Sequence, residues 1–322
     1  MAEVILFGEP MVMFMADTAG PLEEAEHFTR FLAGAEVNVA IGLSRLGHSV
    51  SYVTRLGDDT LGRYIKTKLS GEGIETHIAF DGRYMTGFQL KEKVQAGEPR
   101  VCCFRKNSAA SRLSPADVED VDFSGARLLH LTGIPPALSP GTRRASYRML
   151  ERAREAGLLV SFDPNLQPAL WEDEKIMIAV INDLASRSDI VLPGYREGKL
   201  LTGNEEPEKI ANFYIVRGAK MVTVKLGKRG SFTKNGVENF YQEPMPVDRI
   251  ADRAGAGDGF AVGLTSGILE GLALCEAVGR GNAIGALQLR HPGDKDGLPT
   301  AEELKNYMEK VKSGAGYRHH GH

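Results

Sequence analysis

One pattern recurs along the 322 residues: a short apolar or β-branched run, a Gly or Pro turn, then a helical spacing of apolar residues. "EVILFG" (3–8), "SVSYVTRLG" (49–57), "ARLLHLTG" (126–133), "GLLVSFDPN" (157–165), "SDIVLPG" (188–194) and "AKMVTVKLG" (219–227) read as buried strands. Helices are predicted over 36–46, 59–71, 141–156, 173–186 and 195–202. Parallel strands need long crossovers, so this alternation predicts an α/β fold with a mostly parallel sheet between helices. Neither a repeat nor a low-complexity linker divides the chain, and 1–322 reads as a single domain.

Composition narrows the class. Hydrophobic residues make up 42% and charged residues 25%, an ordinary globular mixture. A net charge of −3 gives no electrostatic reason to expect nucleic acid or a membrane surface. Apolar runs stay well short of the ~18 residues of a membrane span. The opening "MAEVILFGEP" reads as a strand and turn, without a basic region or a long apolar core. Three cysteines, with Cys102 and Cys103 adjacent, make no disulfide framework, so a reduced, cytoplasmic setting is expected. The closing "YRHHGH" reads as a terminal tail in preference to a metal site.

Residues 83–108 break the pattern. They alternate apolar with polar residues around a Gly97-Glu98-Pro99 turn. With residues 11–32 they are expected to form a small antiparallel sheet beside the main one, either a lid or an ordinary surface hairpin.

The stretch "ADRAGAGDGFAVG" (251–263) places four glycines, Gly255, Gly257, Gly259 and Gly263, within nine positions. Glycine is costly inside a helix and useful where a backbone must come close to something. "MPVDRIAD" before it alternates like a strand, and Phe260, Leu264 and Ile268 after it define one helical face. The glycines would therefore open a helix whose first N–H groups are unpaired and whose dipole is positive, a place for an anion. Asp258 is out of place there unless an acceptor hydroxyl lies between it and the anion. A carboxylate could take that proton while the N–H groups hold a transferring phosphoryl. The alternative is an acid that only stabilises the helix start. The spacing is not that of a dinucleotide fingerprint, and no G-K-[ST] of a Walker loop follows.

A second stretch, "LAGAEVNVAIGLSRLG" (32–47), sets Gly34 and Ala35 at another helix start with Asn38 in its first turn. Small residues leave room for a polyol, and an Asn amide can donate to and accept from hydroxyls. A packed turn with an outward Asn is the simpler alternative.

Together these stretches resemble the signatures of the ribokinase-like (PfkB) carbohydrate kinases. The resemblance runs nearly the whole chain: "GEPMVMFM", "AGAEVNVA", "TRLGDDTLG", "DPN", "VKLGKRG", "DRAGAGDGFAVG" and "GNAIGAL". "FRKNSAAS", "HLTGIPPALSP" and "DPNLQPALW" look most like the 2-keto-3-deoxygluconate kinases. The resemblance implies a three-layer fold with a small β lid over the sugar, formed by about 11–32 and 83–108. It implies Asp258 as the base and the N–H groups of Gly255, Ala256 and Gly257 as an anion hole. Asn165, Lys225, Gly227, Gly230 and Asn282 match nucleotide positions. Gly34, Ala35, Asn38, Arg105 and Asp294 match sugar contacts, and Glu197 matches a metal-associated acid acting through water. ATP and Mg2+ are the implied cofactors, with a monovalent cation as a further candidate, and a homodimer through the lids is expected.

Several positions depart from the pattern. Gln89 and Cys103 stand where the acid-sugar kinases usually have Tyr, and Gln167 stands where they usually have Arg. Arg105 is then left to neutralise an acid. The motif around Glu197 has Gly194 in place of Asn, and Arg196 could make Glu197 a surface ion-pair partner. Arg253-Ala254 replaces two small residues before the anion hole, where the guanidinium could assist a phosphate or point outward. The expected activity is ATP-dependent phosphorylation of a terminal hydroxyl of a keto-deoxy sugar acid. A neutral ketose such as fructose, or a sugar- or nucleotide-binding regulator without catalysis, are the alternatives.

Overall fold

The computed structural model describes residues 1–95, 97–293 and 295–312. In chain order the strands are β1 (Val4–Phe7), β2 (Met11–Ala19), β3 (Phe28–Ala33), β4 (Val50–Gly57), β5 (Glu75–Asp81), β6 (Phe88–Lys93) and β7 (Val101–Phe104). They continue as β8 (Leu128–Thr132), β9 (Leu159–Asp163), β10 (Ile190–Val191), β11 (Met221–Lys225), β12 (Ser231–Asn235) and β13 (Asn239–Gln242). The helices are α1 (Ala35–Arg45), α2 (Thr60–Gly71), α3 (Pro135–Leu138), α4 (Pro140–Glu155) and α5 (Glu174–Ser186). After them come α6 (Tyr195–Thr202), α7 (Pro207–Ile215), α8 (Ala256–Leu269), α9 (Leu274–Gln288) and α10 (Ala301–Lys312).

The main sheet runs in the order β13-β12-β11-β10-β9-β8-β1-β4-β5, parallel from β11 to β5 and antiparallel at the β12–β13 edge. Because successive side chains point to opposite faces, β1 feeds two cores. Ile5 and Phe7 pack with α4, α5 and α7, whereas Val4 and Leu6 pack with α1, α8 and α9. A sheet covered on both faces explains why its strands are apolar without alternation.

The second sheet runs β3-β2-β6-β7. It is mixed and not antiparallel throughout as expected, because β2 and β6, brought together from distant parts of the chain, run parallel. A second expectation also fails. The alternating "MPVDRIAD" forms no strand, and 243–254 is irregular. Pro244 and Pro246 deprive it of ladder donors.

The glycines around residue 258 serve two purposes. A Cβ on Gly263 would lie 2.5 Å from the Arg280 carbonyl oxygen, and one on Gly267 would lie 2.7 Å from Ala277 Cβ. From the facing helix, Gly281 meets Phe260 and Gly285 meets the Ala256 carbonyl at 3.0 Å in each case. Gly259 and Gly263 therefore let α8 and α9 touch backbone to backbone. Only Gly255 and Gly257 face the helix opening. Gly263→Ala should cost about 1–3 kcal/mol of unfolding free energy, the range for overpacking a filled core. Gly236→Ala, where a Cβ meets nothing within 4 Å, should leave denaturant unfolding unchanged.

Candidate active site

The site gathers where the sheet strands end and α1 and α8 begin. Gly34 caps α1 with φ 132°, and a Cβ there would lie 2.9 Å from the Glu9 carbonyl. Gly is required on both counts. Asn38, one turn into α1, is buried and its Nδ2 donates to Asp258 Oδ2 at 2.8 Å, across 220 residues of sequence. The alternative of a solvent-facing Asn is thereby excluded. Gly255 caps α8 with φ 75°, so Gly255, Ala256 and Gly257 open the helix and Asp258 sits in its first turn.

On the other side of that opening lies Lys225, at the end of β11. A Cβ on Gly257 would sit 3.4 Å from Lys225 Nζ. The ammonium pairs with Asp163 at the end of β9. Burial would lower the Lys225 pKa, but Asp163 and Glu197 raise it, so the group stays cationic. Burial pushes the Asp163 carboxyl up to about 6 in spite of that cation. Asp258 thus stands between the Asn38 amide and the Lys225 ammonium, both delivered by distant segments.

Glu197 makes no ion pair with Arg196. Its Oε2 accepts from Gly194 N at 2.6 Å and its Oε1 from Leu166 N at 2.8 Å, joining α6 to the Asp163-Pro164-Asn165 turn. Asn165 takes φ 35° there and donates its N–H to Asp163 Oδ1 at 3.3 Å. Asn282 Nδ2 donates to the Glu243 carbonyl at 3.1 Å and to Ser231 Oγ at 3.3 Å. It thereby neighbours Gly230, whose missing Cβ admits the Gln242 carbonyl, and Gly227 at φ 61° begins the same turn. Lys225, Gly227, Gly230 and Asn282 share one corner.

Arg105 is buried and is not a solitary cation. Its Nε and Nη2 both donate to Glu9 Oε2, at 2.7 and 2.5 Å, and Ser108 Oγ donates to Glu9 Oε1. Glu9 takes one edge of the guanidinium and leaves donors on Nη1 and Nη2 for another group. On β6, Gln89 pairs in register with Cys103 of β7, whose Sγ lies 3.7 Å from Gln89 Oε1. Gln167 is exposed ahead of a short 3-10 turn, and Arg253 is exposed on the segment before α8. Asp294 and the terminal histidines lie outside the described residues. Among the described residues no group of three metal-ligating side chains occurs, and Ala35 contributes only small size beside Gly34.

Sequence reasoning assigned no role to Glu9, Glu36, Lys91, Asp163 and Asp252. Glu9, Glu36, Asp163 and Asp252 all lie within the motifs that carry the resemblance, Glu9 just after a strand and Asp163 at the end of one. Glu36 is fully buried against Gly8, where a Cβ would come within 2.5 Å of its Cδ. Thr132 donates to its Oε1, while Oε2 has no hydrogen-bond partner among the described residues.

The chain belongs to the pfkB family of carbohydrate kinases. The family model matches residues 1–301. A 2-dehydro-3-deoxygluconokinase from Bacillus subtilis (strain 168) is 48% identical over 97% of each chain. Among solved structures, a PfkB protein from Polaromonas sp. JS666 is 46% identical, with TM-score 0.88 over 95% of this chain and 99% of that one. A putative ribokinase II from E. coli shares the fold at TM-score 0.90, with 24% identity over 96% of this chain and 100% of its own. The fold is ribokinase-like, with the expected central sheet and a separate small one.

Burial pushes the Glu36 carboxyl up to about 7 and the His130 imidazole down to about 3. Burial thus favours the neutral form of each, Glu36 below about pH 7 and His130 above about pH 3. For Glu36 the folded chain keeps a proton that the unfolded chain releases from about 4.5, so stability falls as pH rises between about 4.5 and 7. Glu36→Gln keeps the Thr132 acceptor and removes the titration. Its stability relative to the parent should therefore rise between pH 5 and pH 8, on the order of 2 kcal/mol, in paired denaturant titrations. For His130 the sign is opposite: stability is lost as pH falls from 6.5 toward 3.

Proposed function

We propose that the protein transfers the γ-phosphoryl of ATP to a terminal hydroxyl of 2-dehydro-3-deoxygluconate. The observation that carries this reading is Asp258 at the glycine-opened start of α8, between Asn38 and Lys225. The 48% identity to the Bacillus subtilis 2-dehydro-3-deoxygluconokinase supports the choice of sugar. Asp258 takes the hydroxyl proton as that oxygen forms its bond to the γ-phosphorus, and the β–γ bridging oxygen leaves with ADP. The N–H groups of Gly255, Ala256 and Gly257 point at the developing charge. Lys225, Gly227, Gly230, Asn165 and Asn282 line the nucleotide side in this reading. Gly34, Ala35, Asn38, Gln89, Cys103, Arg105, Gln167 and Asp294 line the sugar side.

Mg2+ usually keeps several waters and one or two carboxylates beside the phosphates. Asp163 and Glu197, both close enough to act on Lys225, suit that role through water and need no third ligand. The ion would neutralise phosphate charge. Arg105, held edge-on by Glu9, offers its remaining donors to the sugar carboxylate, which fits an acid better than a neutral ketose.

The β3-β2-β6-β7 sheet is the lid in this reading, with Gln89 and Lys91 on its cleft face. Its opposite face carries Phe14, Phe88 and Phe104. Phe88 stacks on Phe104 at 4.7 Å, and Phe104 remains 48% exposed. This exposed apolar sheet face favours a homodimer through the lids, which would cover it. No helix among the described residues is long and apolar enough to cross a membrane, and all three cysteines are free thiols. A cytoplasmic location is consistent with both.

Steady-state turnover on a panel of 2-dehydro-3-deoxygluconate, fructose and ribose tests the activity. Asp258→Asn should fold normally and lose kcat by ~10²–10⁴ on the sugar that turns over best, the scale of general-base catalysis. Near-parental turnover in that variant would remove the base. Arg105→Ala should raise KM for the acid sugar by ~10-fold or more while moving KM for a neutral sugar little. Equal shifts would mean that Arg105 only holds the lid. Phe104→Asp should convert the dimer to a monomer in sedimentation velocity, and a parental monomer would dispose of the lid interface.

A further inference from the structure

Lys91 and Asp252 form a buried ion pair between the small sheet and the segment that leads into α8. Lys91 lies on β6, two residues beyond Gln89 and so on the same face of the small sheet. It is only 2% exposed. Its Nζ lies 2.5 Å from Asp252 Oδ2, in the irregular segment before α8. The other carboxylate oxygen of Asp252 accepts from Ala254 N at 3.0 Å, one residue before Gly255. The Ala251 N–H is itself fixed on the Leu289 carbonyl at 2.8 Å. One carboxylate therefore spans from the small sheet to the threshold of the helix opening. A cleft of about 410 Å³ runs alongside, lined by Glu92, Gly97 and Pro99 on one wall and by Ile250, Asp252 and Arg253 on the other.

A buried ion pair contributes little to stability beyond what an apolar pair of the same size would. What it does supply is a fixed distance between two segments. The segment 243–254 has no ladder hydrogen bonds to hold its shape, and β6 belongs to a sheet separate from the main one. We propose that Lys91 is a positioning residue for phosphoryl transfer, its pairing with Asp252 locking the sugar-side sheet to the turn that presents the Gly255–Gly257 N–H groups. Sugar contact through Gln89 and anion contact through α8 are then registered to each other by one charge pair. This inference rests on the kinase reading of the site.

The test is a cycle of Lys91→Met, Asp252→Asn and the double variant, with Lys91→Arg as the conservative control. Each single change breaks the ion pair and keeps one of its members, so melting temperature and kcat should both fall. The double variant should return to within ~3 °C of the parental melting temperature. Its kcat should stay ~10-fold or more below the parent, with KM for ATP moving less than ~3-fold, as for a lost alignment and not lost binding. Lys91→Arg should regain part of kcat. Hydrogen exchange at the amides of 255–257 should be faster in the double variant than in the parent, a readout that does not need turnover. If kcat returns together with melting temperature, the pair is structural only and the proposal fails. It also fails if the double variant is no more stable than the singles, or if exchange at 255–257 is unchanged. A parent protein that phosphorylates no sugar on the panel would sink the kinase reading instead, and the exchange comparison would still decide the coupling.

Discussion

The backbone contact between α8 and α9 holds the rest of the site in place. Gly259 and Gly263 on one helix, and Gly281 and Gly285 on the other, bring carbonyls within about the distance of a missing methyl group. That contact buries α8 almost completely and fixes the direction in which its first turn opens. A helix start gathers unpaired N–H groups wherever it lies. Here close packing aims those groups at the gap between α1 and β11, where Asn38 and Lys225 already stand. If the helix were rotated by a single residue, Asp258 would leave Asn38.

Charge in the site is arranged in matched pairs. Arg105 leans on Glu9, Lys225 on Asp163, and Lys91 on Asp252, each cation largely or fully withdrawn from water. Isolated, any of these charges would be expensive to bury; paired, each costs far less and keeps a defined orientation. The pairing leaves the polar groups of the cleft already directed. In the proposed reading, incoming phosphate and carboxylate groups meet oriented donors without a large reorganisation. Glu36 and His130, buried without an ion-pair partner, follow the other route, and burial shifts each toward its neutral form.

Much of the architecture was legible because the main strands and helices announce themselves locally. Apolar β-branched runs ending in Gly or Pro gave β1, β4, β8, β9 and β11 to within a residue or two. The β12–β13 hairpin was not anticipated, although Asn235-Gly236 is a turn signal and Asn235 Oδ1 accepts from the N–H groups of Val237 and Glu238. α9 escaped notice because Gly279, Gly281 and Gly285 lower its helix propensity. Two of them are there for α8, a partner that periodicity within one segment does not show. The alternation of "MPVDRIAD" misled for the same reason: two prolines and the absence of a paired neighbour outweighed its pattern.

The sequence by itself determined the alternating layers, the glycine-opened helix start and the carboxylate within it, because each is a property of a few neighbouring residues. The partners were decided only by tertiary structure. Asn38 reaches Asp258 across 220 residues, and Glu9 reaches Arg105 across 96. Whether Gly259 faces a ligand or a helix, and whether Glu197 meets Arg196 or two backbone N–H groups, also depends on what packs opposite. Hydrogen bonds and ion pairs act over about 3 Å. Sequence spacing says which residues can share a face, but only the packed chain brings distant faces within that reach.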